Sequence, residues 1–172
     1  MEKIIIDSAE KIHQIRLTES GQYRIEITAE GAEVEIKGGW RTSANESVEI
    51  ILEIVHRARH TSSRTLLRGA AGGQSRLTLS GTIIIEPGAQ NTNAFLTENI
   101  LLLSDQASAQ AVPNLEISAN EVKCSHAATV SKIPEEHLFY LRARGIDRLS
   151  AQDLIVSGFL AGTQFPQANQ ES

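Results

Sequence analysis

Residues 81–90, GTIIIEPGAQ, and residues 98–108, ENILLLSDQAS, decide how the chain is read. Each carries an apolar triplet, Ile83 to Ile85 and Leu101 to Leu103, closed by turn-forming residues. A triplet without alternation suits a strand covered on both faces or flanked by neighbouring coils. The two segments read as variants of one unit, although the period is too irregular to measure from the sequence. Short strand-like runs surround them up to about residue 133. Tyr23, Ile25 and Ile27 alternate with Arg24, Glu26 and Thr28, and Val34 and Ile36 alternate with Glu33, Glu35 and Lys37. Further runs cover 48–55, 65–67, 77–79, 82–85, 100–103 and 115–117. Glycine-rich breaks are expected between them at Gly31-Ala32, Gly38-Gly39, Gly69-Ala70, Gly72-Gly73, Gly81 and Pro87-Gly88-Ala89. Such closely spaced strands fit a sandwich, a jelly roll or a solenoid. The triplets and the recurring unit favour a mainly β chain, with a right-handed parallel β-helix over residues 1–133.

The pattern changes at Pro134. PEEHLFYLRARG places a proline near the first helical turn, two glutamates at the positive end of the dipole, Arg142 and Arg144 near the other end, and Gly145 as a stop. In SAQDLIVSGFLAG, Ser150 is expected to cap a second helix with Asp153 three places on, and Leu154, Ile155, Gly158 and Phe159 form an apolar stripe. Residues 134–163 therefore read as a small two-helix domain, and residues 164–172 as a loose polar tail. Leu138, Phe139, Tyr140, Leu141, Phe159 and Leu160 are more apolar surface than two short helices can hide between themselves. Burying one Leu or Phe is worth roughly 1.5–3 kcal/mol, so the pair is expected to cap the open end of the solenoid, to dock another protein, or both.

Composition narrows the class. The 172 residues are 41% hydrophobic but only 4% aromatic, which suits a narrow, stacked interior of Ile, Val, Leu and Ala. A net charge of −5 argues against a nucleic-acid surface, which needs clustered Lys and Arg. No apolar run approaches the ~18 residues of a membrane span, and the opening MEKIIIDSAEKI lacks a secretory signal. One cysteine allows no internal disulfide, so the cytoplasm is the expected location.

The candidate chemistry lies in residues 121–133, EVKCSHAATVSKI. Val122, Cys124, His126, Ala128 and Val130 share one parity, and Glu121, Lys123, Ser125, Thr129 and Ser131 the other, so His126 is in register with an apolar face. Cys124 and His126 lie ~6.6 Å apart along a strand and point the same way, yet two ligands are too few for a zinc or an iron–sulfur cluster. A second chain would have to supply the rest. On spacing alone, a buried thiol beside a hydrogen-bonded core histidine is the plainer reading. His56 and His60 have zincin spacing but enclose Arg-Ala-Arg without a Glu, and read as neutral strand-end histidines. No GxSxG, GxxxxGK[ST] or GxGxxG motif is present, and no Asp cluster suggests a calcium-dependent lyase.

From His56 onward the sequence resembles the SufB/SufD family of iron–sulfur cluster assembly proteins. The stretches that carry the resemblance are HRARHTSSRTLLRGAAGGQSRLTLSGTIIIEPGAQ, ENILLLSDQASAQAVPNLEISANEVKCSHAATVSKI and EEHLFYLRARGI with AQDLIVSGFL. VKCSHAAT looks like the SufD form of its strand, and NLEIS lacks the cysteine of the SufB form. The resemblance implies a right-handed β-helix followed by a small helical domain, matching the C-terminal part of such proteins. It implies a non-catalytic subunit that pairs with a SufB-like scaffold, with His126 and, more weakly, Cys124 at the interface where a transient iron–sulfur cluster forms. No tightly bound cofactor is expected. The helices would dock a SufC-like ABC-type ATPase through Leu138, Phe139, Tyr140, Leu141, Arg144, Gly145, Phe159 and Leu160. SufD proteins are expected to carry a helical region and further coils ahead of this segment. Without them, apolar surface is exposed and a homodimer is a further expected pairing. The rivals are a self-assembling, bactofilin-like β-helix and, less well supported, a carbohydrate-active β-helix enzyme.

Overall fold

A computed structural model describes residues 1–165. The chain runs through β1 (Glu2–Ile6), β2 (His13–Leu17), β3 (Gly21–Ile27), β4 (Glu33–Thr42), β5 (Ser47–His56), β6 (Ser62–Ala71), β7 (Arg76–Ile85), β8 (Thr92–Leu102), β9 (Ser108–Ala111), β10 (Asn114–Ile117) and β11 (Val122–Lys132). Two helices follow, α1 (Glu135–Arg142) and α2 (Arg148–Ala161). One sheet has the order β1-β3-β5-β7-β10, with β9 also on β7, and the other β11-β8-β6-β4-β2. All pairings are parallel. The result is a parallel β-solenoid of about 4 turns. No helix among the described residues is long and apolar enough to cross a membrane.

Register explains why the repeat was hard to measure. Ile25 aligns with Ile54 and Ile54 with Ile83, 29 residues apart each time. Thr65 aligns with Leu96 at 31 residues and Leu96 with His126 at 30, whereas Ile4 aligns with Ile25 at only 21. Strand alignment is kept while turn length drifts. Inward rows of Ile25, Ile54 and Ile83, facing Ile36, Leu67 and Leu96, fill the lumen almost without exposure. At ~25 cal/mol per Å² of apolar area removed from water, this stacked aliphatic column is the main stabilising term.

Several glycines expected to break strands lie inside them. Gly38 and Gly39 are within β4, Gly69 within β6, and Gly81 within β7, which joins two runs into one ten-residue strand. They are sites of close packing: a Cβ at Gly38 would overlap the Trp40 ring, and one at Gly69 would overlap the Leu77 side chain. Genuine turns stack from coil to coil. Gly31 (φ +77), His60 (φ 57) and Asn91 (φ 59) take the left-handed position in three successive coils. Their amides donate to Arg59, Gln90 and Glu121 carbonyls of the next coil. His60 is thus an exposed turn residue near Glu30, not a strand-end histidine.

The helices differ from expectation in two respects. α2 starts earlier, at Arg148, because the Asp147 carboxylate accepts the Leu149 and Ser150 amides at 3.0 Å each, so Asp147, not Ser150, is the N-cap. The Ser150 hydroxyl hydrogen-bonded to it holds this carboxyl below its usual range. The buried face of α2 is centred on Ala151 and Val156, with Leu154 and Gly158 turned out. Second, the pair lies against the outer face of the second sheet and does not cover the solenoid's end. Leu138, Ala151 and Val156 bury against Ala70 and Ile133, flanked by Leu101 and Leu103. Leu101 is outward-facing, so the helices supply the second cover that the leucine triplet required. Arg68 fixes the contact by donating from Nη1 to the Phe159 carbonyl at 2.5 Å, with its guanidinium over the Phe159 ring. Arg41 pairs with Asp153, and Gly39 leaves room for Thr163. Phe165, at the start of the expected loose tail, packs under the Lys37 ammonium, and residues 166–172 lie outside the described residues.

Candidate functional site: the open coil edge and the outer helical face

β11 pairs with β8 along eleven residues and forms the edge of its sheet. The parity read from the sequence holds: Cys124 aligns with Ala94, His126 with Leu96, Ala128 with Glu98 and Val130 with Ile100. The four β8 residues are sealed, yet on β11 Cys124 is half-buried and the other three are exposed. An inward row is covered by the coil that follows it, and among the described residues no strand lies beyond β11. His126 is therefore not a satisfied core histidine, and its ring makes no hydrogen bond among the described residues. Burial pushes the Cys124 thiol up, which keeps it protonated at neutral pH. Among the described residues no three His, Cys, Asp or Glu side chains gather where they could hold a metal ion. An ion or cluster here would need ligands from another chain. Val112, Ile117 and Val130 add exposed apolar surface to the same end.

The other histidine pair is dispersed. His56 is fully buried, with Nδ1 2.8 Å from Thr61 Oγ1 and Nε2 2.9 Å from Ser63 Oγ, and Thr61 continues to Thr92 at 3.0 Å. Its partners are hydroxyls, and burial lowers its pKa to about 4. This is a structural polar ladder. Two buried acids escaped the sequence reading: Glu26, 3% exposed, is paired with Lys3, Arg24 and Arg57, and the second is Glu98. Glu98 has 0% exposure, although its alternation with Ala94, Leu96 and Ile100 already marked it as inward.

The helical candidates divide between two faces. Leu138 is buried on the solenoid, and Leu141, Phe159 and Leu160 are half-buried there. Phe139 is 73% and Tyr140 57% exposed, and the Arg144 guanidinium lies 3.5 Å from the Tyr140 ring centroid. Gly145 makes the turn after α1, with φ +86. Leu149, 74% exposed, and Leu154, 55% exposed, also face outward. Leu149 was absent from the sequence-derived set because a later helix start placed it outside α2.

The geometry is that of a parallel solenoid with an open strand edge, flanked by a helical pair with outward aromatic and aliphatic residues. The family model for the SUF system FeS cluster assembly SufBD core domain matches residues 16–159, and the chain belongs to that family. It is 37% identical over 117 residues to the iron–sulfur cluster assembly protein SufD of Escherichia coli, covering 68% of this chain and 28% of that protein. A SufBD family protein of Mycobacterium tuberculosis is 34% identical over 137 residues, 75% of this chain and 34% of the relative. A chloroplastic SufBD family protein of Arabidopsis thaliana is 32% identical over 107 residues, 62% and 19% respectively. The chain thus spans about a third or less of the length of these relatives.

Proposed function

We propose that this chain acts as a SufD-like, non-catalytic subunit in iron–sulfur cluster assembly. Its β11 edge pairs with a SufB-like scaffold, and His126 projects into that seam as one ligand of the cluster under construction, which is cargo. Cys124, half-buried and protonated, is the weaker contributor. The outward residues Phe139, Tyr140, Leu149 and Leu154 dock a SufC-like ABC ATPase, while Leu138, Leu141, Phe159 and Leu160 anchor the helices to the solenoid. The observation that carries this reading is an exposed imidazole, without a hydrogen bond among the described residues, on a strand that is paired on one side only. Co-purification with SufB-like and SufC-like partners tests the assembly. His126→Ala is expected to keep the complex and to slow cluster formation on it at least tenfold; an unchanged rate removes the histidine's role. Phe139→Ala with Leu149→Ala is expected to release the ATPase and spare the scaffold contact. ATPase binding that survives this pair removes the docking role.

A second reading draws support from the position of the helices. Because they lie on the flank, they leave the β11 edge free for a second copy of the chain. Sedimentation and electron microscopy separate a discrete dimer or heteromer from bactofilin-like filaments.

A further inference from the structure

The strongest anomaly in the lumen is Glu98. It points inward from β8, between Leu67 of β6 and Ala128 of β11 in register. It has no exposure, and among the described residues neither carboxylate oxygen has a well-formed hydrogen bond. The room it occupies is made by Gly81 of β7, where an added Cβ would come within 2.8 Å of Glu98 Oε1. The next coil is interrupted at this point. β9 ends at Ala111 and β10 begins at Asn114, leaving Val112 and Pro113 between them, and a proline has no N–H to give to the ladder.

We propose that Glu98 is a charge-operated latch for the terminal coil: its protonated carboxyl lets β9, β10 and β11 sit down on the coil beneath, and its ionisation loosens them. The inference is independent of the assembly reading, since it concerns only how this chain holds its own last coil.

The physical argument is desolvation. A carboxylate sealed among apolar groups without a donor is costly, whereas a neutral carboxyl is tolerated. Burial raises this group to about 7; the Gly81 and Val112 backbone N–H groups favour the charged form and offset part of that rise, but the Val112 N–H is given to the Leu79 carbonyl at 2.8 Å and neither carboxylate oxygen receives a well-aligned hydrogen bond. The inward rows of β6, β7, β9 and β10 carry no ionisable side chain. On the β11 row the ionisable groups are Cys124, His126 and Lys132, and Lys132 is held by Asp105. Among the described residues no cation therefore meets Glu98 in the closed lumen. Water is the available relief, and it reaches the carboxylate when the terminal coil lifts.

The sign follows. An exposed carboxyl titrates near 4.5, so stability of the closed coil is complete below that pH and is lost as pH rises towards 7 and through it. Amide hydrogen exchange, corrected for intrinsic rates, is measured on the whole chain from pH 6 to pH 8. The opening constant of β9–β11 relative to β3–β7 is expected to rise about tenfold over that window. Glu98→Gln, or Glu98→Leu should the amide not fold, is expected to abolish the rise, while His126→Ala keeps it. A relative opening constant that stays flat in the unsubstituted chain, or a rise that persists without Glu98, overturns the proposal.

Discussion

The inward row of β6 and that of β11 obey the same alternation in the same sheet, two strands apart. Thr65 and Leu67 on β6 are sealed, and Ser63 finds the His56 ring. Their counterparts on β11, His126 and Ala128, are open to solvent. The two rows differ in what comes next along the solenoid axis. β6 is flanked by β4 and β8, whereas β11 has β8 on one side only. The two histidines make the same point. His56 is locked between hydroxyls in a closed coil, and His126 stands exposed at an edge, its ring without a hydrogen bond among the described residues. Parity sets the direction of a side chain, and the neighbouring coil sets its environment.

That contrast can be broken by measurement, starting where the effect is greatest. Ile54→Ala, in the closed column, is expected to cost 2–5 kcal/mol in chemical denaturation, against less than about 1 kcal/mol for Val130→Ala on the open row. Equal costs would mean that the terminal row is also packed in solution. Acid should act through His56 next. Its pKa falls from 6.5 to about 4 on folding, so its contribution is complete above pH 6.5 and fades as pH drops towards 4. The loss at pH 4 is on the order of 3 kcal/mol. In acid titrations His56→Gln should lack this component, and His126→Ala should retain it. Gly69→Ala forces a Cβ into Leu77 and is expected to cost about 1–3 kcal/mol by overpacking. The smallest effect is that of His126→Ala on folding, expected within about 0.5 kcal/mol. A larger loss would show that the ring supports the coil itself.

Much of the architecture was legible because it rests on local rules. The alternation around Ile25, Val34 and Cys124, the triplets, and the change of pattern at Pro134 all report which way side chains point and where strands give way to helices. The glycines misled because the same residue serves two needs. Gly31 and Gly73 supply a left-handed turn, while Gly39, Gly69 and Gly81 make space for Thr163, Leu77 and Glu98 from other elements. The N-cap was misplaced for a related reason: Asp147 and Ser150 both suit a cap, and the position of α2 on the solenoid flank, held by Arg68 and Arg41, goes with the earlier start.

By itself the sequence determined a stacked parallel β fold with a helical appendage, and the side on which Cys124 and His126 project. Those follow from period and turn chemistry, which act between residues close in the chain. Only the tertiary structure decided that His56 is sealed and His126 open, that the helices clasp the flank, and that Glu98 is buried without a well-formed hydrogen bond among the described residues. Each depends on packing between successive coils or between a coil and a helix, as in Thr61 with Thr92 and Arg68 with Phe159, and burial is a property of those contacts.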